Sequence, residues 1–398
     1  MNSIRVKSFG PIAEADITFG DCTLFVGPQA SGKSLLLQLT KLLSDMDGIA
    51  RSLRSNNYQW NEESSTDQNF LELYFGEGLG DFSLKKEIEV DGVLVSDRIL
   101  TFISPRLGTK ESYFYIPAQR ILAMSEGWPR AFSSFDASES YVLKQFSQTI
   151  RNQAEQSLSI RNLAAHGLSD NARLNATFGI SKGVLQLIDS SIFRGATISF
   201  DSKGPKRRIM LSNLGNSSAQ IPFINWSAGQ KEFMPLLLSL YYLMPENHPG
   251  TREGIETIIV EEPEMGLHPE AIKSLMVIFL ELMVRGYKLI ISTHSPVLLE
   301  LMWTMRYIAE KGDEKDLLEL FDLPETSSMA YTFKSIIEQR KTFKAFYFNV
   351  HDSKSERTIV KDISTLDARS EDNDIANWGG LTDFISTASD IVSRLAAR

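Results

Sequence analysis

The chain has 398 residues, of which 42% are hydrophobic and 23% charged, and this composition is that of an ordinary globular protein. It excludes a disordered, fibrous or collagen-like protein. The net charge of −9, from 41 Lys and Arg against 50 Asp and Glu, argues against a globally basic nucleic-acid coat. The single cysteine, Cys22, has no partner for an internal disulfide or a thiolate metal site, which favours a reducing, cytoplasmic compartment.

The sequence predicts neither a membrane span nor a signal peptide. No run approaches the ~18 apolar residues that a span requires. The first residues alternate polar and apolar types and lack a basic segment followed by an apolar core. We therefore expect a protein that is not secreted and does not enter a membrane.

The first 45 residues predict three strands, a loop and a helix. The strands are expected at Ile4–Lys7, Ala15–Phe19 and Thr23–Val26. Apolar residues from Leu35 to Leu43 then recur on one helical face. The order β-β-β-loop-α follows.

Short apolar runs over the next seventy residues predict an antiparallel meander, with a tight turn at Asp91-Gly92. The expected strands are Phe70–Phe75, Phe82–Val90, Val93–Val95, Ile99–Ile103 and Tyr113–Ile116.

A helical insertion is expected next, because Ser138–Ile188 carries a mostly helical pattern. Residues 137–208 contain ten Lys and Arg against five Asp and Glu, a local excess in an acidic chain. From its charge alone this basic segment is expected to be a solvated basic face; a docking or sensing surface is what the family resemblance given below implies for it.

Later in the chain, a βαβ unit is predicted from two short apolar runs, Glu256–Val260 and Lys288–Ser292, which flank the helix Pro269–Val284. The polar, acidic tail adds expected helices at Lys315–Phe321 and Thr382–Leu395 and a strand at Lys344–Asn349.

A phosphate-binding loop stands between the third strand and the first helix. Its residues are Gly27, Pro28, Gln29, Ala30, Ser31, Gly32, Lys33 and Ser34. In such a loop the backbone N–H groups, the helix N-terminus and the lysine form an anion cradle. The serine hydroxyl helps to hold Mg²⁺, so the sequence predicts an ATP and Mg²⁺ site.

Two carboxylates end the strand that precedes the long helix of the βαβ unit. The first, Glu261, is placed to hold the metal, and the second, Glu262, is placed to activate water as a general base. His294 follows the next strand, at the edge where α/β sheets bind ligands, and is assigned to the γ-phosphate.

A second cradle is expected where the turn Ser227-Ala228-Gly229-Gln230 opens an apolar helix. One nucleotide does not need two such cradles in one chain. The second cradle has a use if it faces a nucleotide that another subunit holds; an ordinary helix N-terminus is the alternative.

These motifs, in this order, resemble the ABC-type ATPases. The resemblance rests on the phosphate loop, the acidic strand end, the histidine, the Ser-x-Gly-Gln turn as the family signature, and Gln119 in a glutamine-containing loop. It implies that Gln119, with Ser34 and Glu261, contacts the metal. It also implies that two subunits pair head to tail and share each ATP.

Departures from the common ABC pattern indicate which branch of the family the sequence resembles. Glu261 stands where most of the family has Asp, and His268 replaces a later Asp. The run Glu-Glu-Pro-Glu followed by Leu-His-Pro resembles the OLD-, RecF- and SMC-like ATPases, and most closely the ATPase components of PARIS anti-phage systems. The tail shows no Toprim carboxylate pattern, so any nuclease is assigned to a separate partner.

The expected fold is α/β: an ABC-type P-loop ATPase with a mixed β-sheet core, an antiparallel β subdomain, a helical insertion and an α/β C-terminal extension. The expected parts are 1–136 and 205–305 for the ATPase core, 137–204 for the insertion and 306–398 for the extension.

The resemblance implies an ATP-dependent oligomeric switch that hydrolyses ATP slowly and restrains a separate toxic effector, such as a Toprim nuclease, until a phage-encoded trigger protein is sensed. A DNA-binding repair or chromosome-maintenance ATPase is the main alternative, with DNA as its partner. A transporter motor subunit is disfavoured by Glu261, His268 and the polar tail.

Overall fold

The protein is described from a computed structural model. The described residues are 1–60, 68–79, 87–95, 111–164, 181–201, 207–212, 219–245, 250–324, 327–350, 357–367, 369–380 and 383–396. The predicted strand Ile99–Ile103 and most of the predicted strand Phe82–Val90 lie outside them.

Most strands join one large mixed sheet. The strands are β1 (Ser3–Phe9), β2 (Ile12–Thr18), β3 (Cys22–Val26), β4 (Ile88–Val90), β5 (Val93–Leu94), β6 (Tyr113–Ile116), β7 (Met124–Ser125), β8 (Trp128–Pro129), β9 (Thr197–Asp201), β10 (Arg208–Ser212), β11 (Ile221–Pro222), β12 (Thr257–Glu261), β13 (Lys288–Thr293), β14 (Phe343–Asn349) and β15 (Thr358–Asp362). Among the described residues, ten of these strands pair in the order β5-β4-β1-β2-β15-β14-β3-β13-β12-β6. The predicted fold class is confirmed.

Helices cover the sheet and fill its connections. They are α1 (Lys33–Ser55), α2 (Gln68–Phe75), α3 (Tyr141–Ala164), α4 (Lys182–Ile188), α5 (Ala228–Leu243), α6 (Pro269–Val284), α7 (Pro296–Lys311), α8 (Glu314–Leu320), α9 (Ala330–Glu338), α10 (Asn373–Ala376) and α11 (Asp383–Ala396). Within the described ranges, no helix has both the length and the apolar character that crossing a membrane requires.

The five strands β14, β3, β13, β12 and β6 run parallel, and they form the half of the sheet that carries the candidate site. The βαβ unit is as predicted, with β12 and β13 in register from Thr257↔Lys288 to Glu261↔Ser292. Parallel pairing places the carboxyl ends of these strands at one edge.

Two predictions for the meander were wrong. Residues 70–75 form the end of helix α2, because Phe70, Leu71, Tyr74 and Phe75 recur at helical spacing and are all buried. Strand β6 pairs parallel to β12 and does not join an antiparallel meander. The turn prediction was correct: Asp91 and Gly92 both have positive φ and connect β4 to β5.

The C-terminal part of the chain enters the middle of the sheet. Strand β14 pairs parallel to β3, and β15 then pairs with both β14 and β2. Residues predicted as an acidic extension therefore lie directly beside the strand that leads into the phosphate loop.

Alternate residues of β3 supply two cores, one on each face of the sheet. Leu24 is buried with residues of α5 and α6, and Phe25 is buried with residues of α1 and α2. Burying one such side chain contributes roughly 1.5–3 kcal/mol. β3 is therefore packed on both faces, and this packing determines where the loop at its carboxyl end begins.

Candidate nucleotide site

The loop Gly27–Ser34 connects β3 directly to α1. Gly27 has φ +145° and Gly32 has φ +99°, backbone conformations that side chains strongly disfavour. Gly32 also precedes the helix without a side-chain cap, so the first-turn N–H groups are not satisfied from that position. Such a turn presents donors and a positive helix end to an anion.

The Lys33 side chain folds back onto the loop backbone. Its ammonium donates to the carbonyls of Gly27 and Pro28 at 2.9 and 2.8 Å, and it lies 3.3 Å from His294 Nε2. Burial lowers the pKa of Lys33 to about 8, and nearby carboxylates, led by Glu262, oppose that shift. The loop thus brings together a partly desolvated cation and the end of β13.

Glu261 lies at the carboxyl end of β12 and is 5% exposed. Its Oε2 accepts a hydrogen bond from Ala118 N at 3.2 Å, and its Oε1 is buried without a partner in the described structure. Burial raises its pKa, and the nearby Ser34 hydroxyl acts in the opposite direction. A buried oxygen without a partner beside a serine hydroxyl fits a cation ligand.

These residues fit Mg²⁺ as the metal of a phosphate-bound nucleotide. Within the described residues, no group of three or more His, Cys, Asp or Glu side chains is arranged to hold a metal by itself. Mg²⁺ at such sites takes one or two protein oxygens and completes its shell with water and phosphate. Ser34 and Glu261 provide a set of that kind.

Glu262 follows in a strained backbone conformation, with φ +41°. Its N–H still pairs with the Ser292 carbonyl at 2.9 Å, and its Oε1 lies 3.2 Å from His294 Nε2. Burial, followed by the neighbouring Glu264 carboxylate, raises the pKa of Glu262 to about 8. A carboxyl group with so high a pKa has the basicity that a general base needs near neutral pH.

His294 and Glu264 are held together at the end of β13. Glu264 Oε1 accepts from Thr293 Oγ1 at 2.5 Å and from His294 N at 3.0 Å. Burial and the nearby Lys33 lower the pKa of His294. The sequence places Glu264 in an acidic region and offers it as the alternative to Glu262 for the general base, but it does not predict Thr293, because a lone strand threonine carries no signal.

Gln119 is exposed, one residue after the Ala118 N–H that binds Glu261. The structure therefore brings the glutamine-containing segment to the metal-ligand candidate. Arg120, which follows it, was not predicted: it is 1% exposed, and its guanidinium donates to the Glu261 carbonyl at 2.9 Å. A single arginine after a strand has no pattern from which this role could be inferred.

The turn Ser227–Gln230 begins α5. Ser227 caps the helix, and Gln230 completes a reciprocal capping box with it. Ser227 and Ala228 are exposed. In the described structure the hydrogen bonds of the Ser227 side chain and N–H go to Gln230, and the turn does not join the cluster of Lys33, Glu262 and His294.

The mixed sheet and the glycine-rich loop between β3 and α1 form an α/β fold of the P-loop type. Residues 112–300 match the family model described as "AAA domain, putative AbiEii toxin, Type IV TA system". That span contains Gln119, the Ser227–Gln230 turn, Glu261-Glu262 and His294, and it does not include the phosphate loop. No curated protein matches the chain.

Solved structures with similarity to the chain include SMC heads and an ABC cassette. An SMC head bound to the C-winged helix domain of ScpA is 11% identical, covers 91% of this chain and 97% of its own, and has a TM-score of 0.44. The SMC head domain from Thermotoga maritima is 14% identical, with coverage of 75% and 90% and a TM-score of 0.33. A dimeric bacterial ABC transporter cassette is 13% identical, with coverage of 73% and 88% and a TM-score of 0.31. Since these scores are below 0.5, the fold assignment rests on the sheet order and loop geometry.

Proposed function

We propose that the protein binds ATP with Mg²⁺ and hydrolyses it slowly, as an ATP-dependent oligomeric switch. One observation supports this most strongly: His294, after β13, lies 3.3 Å from Lys33 of the loop and 3.2 Å from Glu262, which follows β12. A cation, a base and a polar side chain at one sheet edge are the parts that phosphoryl transfer to water requires.

Each residue has one task in this proposal. The loop amides and Lys33 bind the phosphates, and Glu262 accepts the proton of the attacking water. His294 contacts the γ-phosphate. Ser34, Glu261 and Gln119 would hold Mg²⁺, which neutralises charge on the phosphate oxygens when it is bound.

We further propose that the site is completed by a second subunit. Ser227 and Ala228 are exposed at the N-terminus of α5, and Gln29, Ala30 and Ser34 of the loop are exposed as well. A head-to-tail homodimer would place this turn over the partner's nucleotide, which would convert ATP occupancy into association. Slow hydrolysis then serves as a timer for the assembled state.

The biological setting that fits best is bacterial anti-phage defence in the cytoplasm. The sequence pattern resembles AriA, the ATPase component of PARIS systems, and the matched family model is described by a putative toxin of a type IV TA system. We propose that the assembled ATPase restrains a separate effector, such as a Toprim nuclease, and releases it when a phage-encoded trigger protein binds.

The test is to express the protein together with the genes that neighbour its own and to purify it with ATP and Mg²⁺. Phosphate-release assays and native mass measurement follow. Steady ATP turnover, together with an oligomer that carries a second, identifiable chain, is the expected result. A bare protein that dimerises with ATP and retains DNA would replace this proposal with the DNA-repair alternative. Absence of nucleotide binding would contradict both the switch proposal and the DNA-repair alternative.

A further inference from the structure

The guanidinium of Arg120 lies at a junction of three chain segments. It donates from Nη1 to the carbonyls of Pro117 and Glu261 at 3.3 and 2.9 Å, and from Nη2 to the Glu262 carbonyl at 3.3 Å. Its Nε donates to the Glu232 carbonyl of α5 at 3.2 Å. Four backbone acceptors thus converge on one buried cation.

The connection to α5 is reciprocal. The Glu232 carboxylate lies 4.0 Å from Arg120 Nε; burial raises its pKa, and the Arg120 charge and the backbone N–H groups of Ile121 and Arg120 oppose that rise. Glu232 stands one turn after Ser227, on the helix whose exposed end is the second cradle. Arg120 therefore joins this helix to the two acidic residues at the end of β12.

The backbone at Glu262 needs such support. Its φ of +41° is an unfavourable conformation for a residue with a side chain, and such a conformation persists only where surrounding contacts determine it. The hydrogen bonds from Arg120 to the carbonyls of Glu261 and Glu262 hold the backbone on both sides of the Glu262 Cα. A small rotation there would swing the Glu262 carboxylate away from His294.

We propose that Arg120 is a positioning residue that couples helix α5 to the general base, so that Glu262 is aligned for hydrolysis when the Ser227–Gln230 turn engages a partner subunit's nucleotide. The inference rests on the proposed ATPase function. Arginine suits this task because its planar fork supplies several donors in fixed directions, which the single ammonium of lysine does not.

The experiment compares Arg120→Lys and Arg120→Met with Arg130→Lys. Arg130 is a matched control, since it also donates to backbone carbonyls, those of Leu122 and Ser134, but has no contact with the acidic strand end. Both Arg120 variants are expected to lower kcat by about 100-fold with ATP Kd within about threefold of wild type, because misplacing a catalytic group by about 1 Å has that effect. The control should retain wild-type kcat.

Two readouts separate positioning from a merely structural role. In wild type, the hydrolysis rate per subunit should rise with protein concentration as subunits pair, and this rise should be absent in Arg120→Lys while ATP-dependent dimerisation, measured by light scattering, persists. Loss of ATP binding and dimerisation together with kcat would mean a folding defect and would overturn the inference. Full activity in Arg120→Lys would also overturn it.

Glu232→Ala supplies a second variant, which removes the carboxylate beside Arg120 Nε and keeps every backbone bond of Arg120, including the one to the carbonyl of residue 232. Its loss of kcat and that of Arg120→Met should not add in the double variant, since both act on one connection. Additive losses would show that the Glu232 carboxylate does not act through Arg120 and would contradict the inference. If wild type itself shows no ATP hydrolysis, the proposed function fails instead, and the two failures are thereby distinguished.

Discussion

Gly229 packs directly against Gly266: a Cβ on Gly229 would lie 2.5 Å from the Gly266 carbonyl oxygen. Gly229 belongs to the turn that opens α5, and Gly266 to the loop that follows the acidic strand end. This close approach requires glycine at position 229. It also means that whatever engages the Ser227–Gln230 turn from outside presses on a segment continuous with Glu262.

The shared-site arrangement predicts that Ser227→Arg inactivates the partner's site and leaves its own loop intact. Mixed with Lys33→Ala subunits, it should regain activity, because a mixed dimer contains one site with both intact halves. At equal amounts the mixture should reach about one quarter of wild-type hydrolysis, since half of the dimers are mixed and each has one working site.

Phosphate release after subunit exchange measures this recovery. Ser55→Arg, at the exposed end of α1, is the control for adding an arginine to the surface and should behave as wild type. If each single variant is inactive and the mixture stays inactive although mixed dimers form, each site lies within one subunit.

Local patterns predicted the site more completely than the sheet. The loop Gly27–Ser34 and the carboxylates after β12 are adjacent in sequence to the strands that position them, so their chemistry could be inferred without tertiary information. The position of β14 between β3 and β15 could not be inferred from the sequence, because pairing between residues 343 and 22 leaves no signal in either strand alone. Residues 70–75 were predicted as a strand although they are helical, because a short apolar run fits both the strand period of two and the helix period of 3.6 residues.

Lys33→Ala should abolish most ATP binding. Charge-assisted hydrogen bonds to phosphate contribute about 1.5–3 kcal/mol each, so the loss corresponds to at least about 10-fold to 100-fold in Kd. Titration with a fluorescent ATP analogue measures it. Lys7→Ala, which removes a lysine of β1 that pairs with Glu87, should leave Kd unchanged. Wild-type affinity in Lys33→Ala would exclude the loop as the nucleotide site.

Glu262→Gln should retain ATP binding, lose hydrolysis and accumulate the closed oligomer. A general base contributes about 10²-fold to 10⁴-fold, and the amide keeps the shape but cannot accept the proton. Single-turnover phosphate release and native mass in ATP measure the two effects.

Glu264→Gln is the matched variant for this comparison. It should weaken the support of the His294 segment by Thr293 and the backbone N–H, and so reduce hydrolysis less than Glu262→Gln does. Full turnover in Glu262→Gln together with loss in Glu264→Gln would transfer the role of base to Glu264.

Arg120 and Glu264 make contacts that sequence patterns do not predict. Both act on backbone groups of other segments: Arg120 on the carbonyls of Glu261 and Glu262, and Glu264 on the N–H of His294. Backbone groups are the same in every residue, so such contacts depend on the packing and leave no characteristic spacing. Residues proposed to bind the nucleotide directly are recognisable in the sequence because that chemistry restricts the residue type.

ATP affinity should weaken as pH rises through about 8. Burial lowers the pKa of Lys33 to about 8, and phosphate binding needs the charged ammonium, so the attraction is complete below this pH and is lost above it. An ordinary lysine would lose its charge only above pH ~10. The charged or titratable groups that face this ammonium are Glu261, Glu262, Glu264 and His294.

Equilibrium binding of a nonhydrolysable ATP analogue from pH 6.5 to 9.5 measures this dependence. The Glu262 carboxylate raises the pKa of Lys33, so Glu262→Gln should move the midpoint to lower pH. A constant affinity across the range, or a midpoint that moves to higher pH in Glu262→Gln, would contradict the assigned charges.

Gly27→Ala should destabilise the fold as well as the nucleotide site. The added Cβ would lie 2.8 Å from the Phe348 carbonyl of β14, at a backbone φ of +145° that alanine strongly disfavours. The free energy of unfolding should fall by roughly 1–3 kcal/mol for the strained backbone, with the clash adding to that loss. Urea unfolding measures it. Gly78→Ala separates the two causes, because Gly78 also has positive φ but no atom within 4 Å of the added Cβ. Equal losses in the two variants would mean that Phe348 does not restrict position 27, and that β14 does not pack beside the phosphate loop as described.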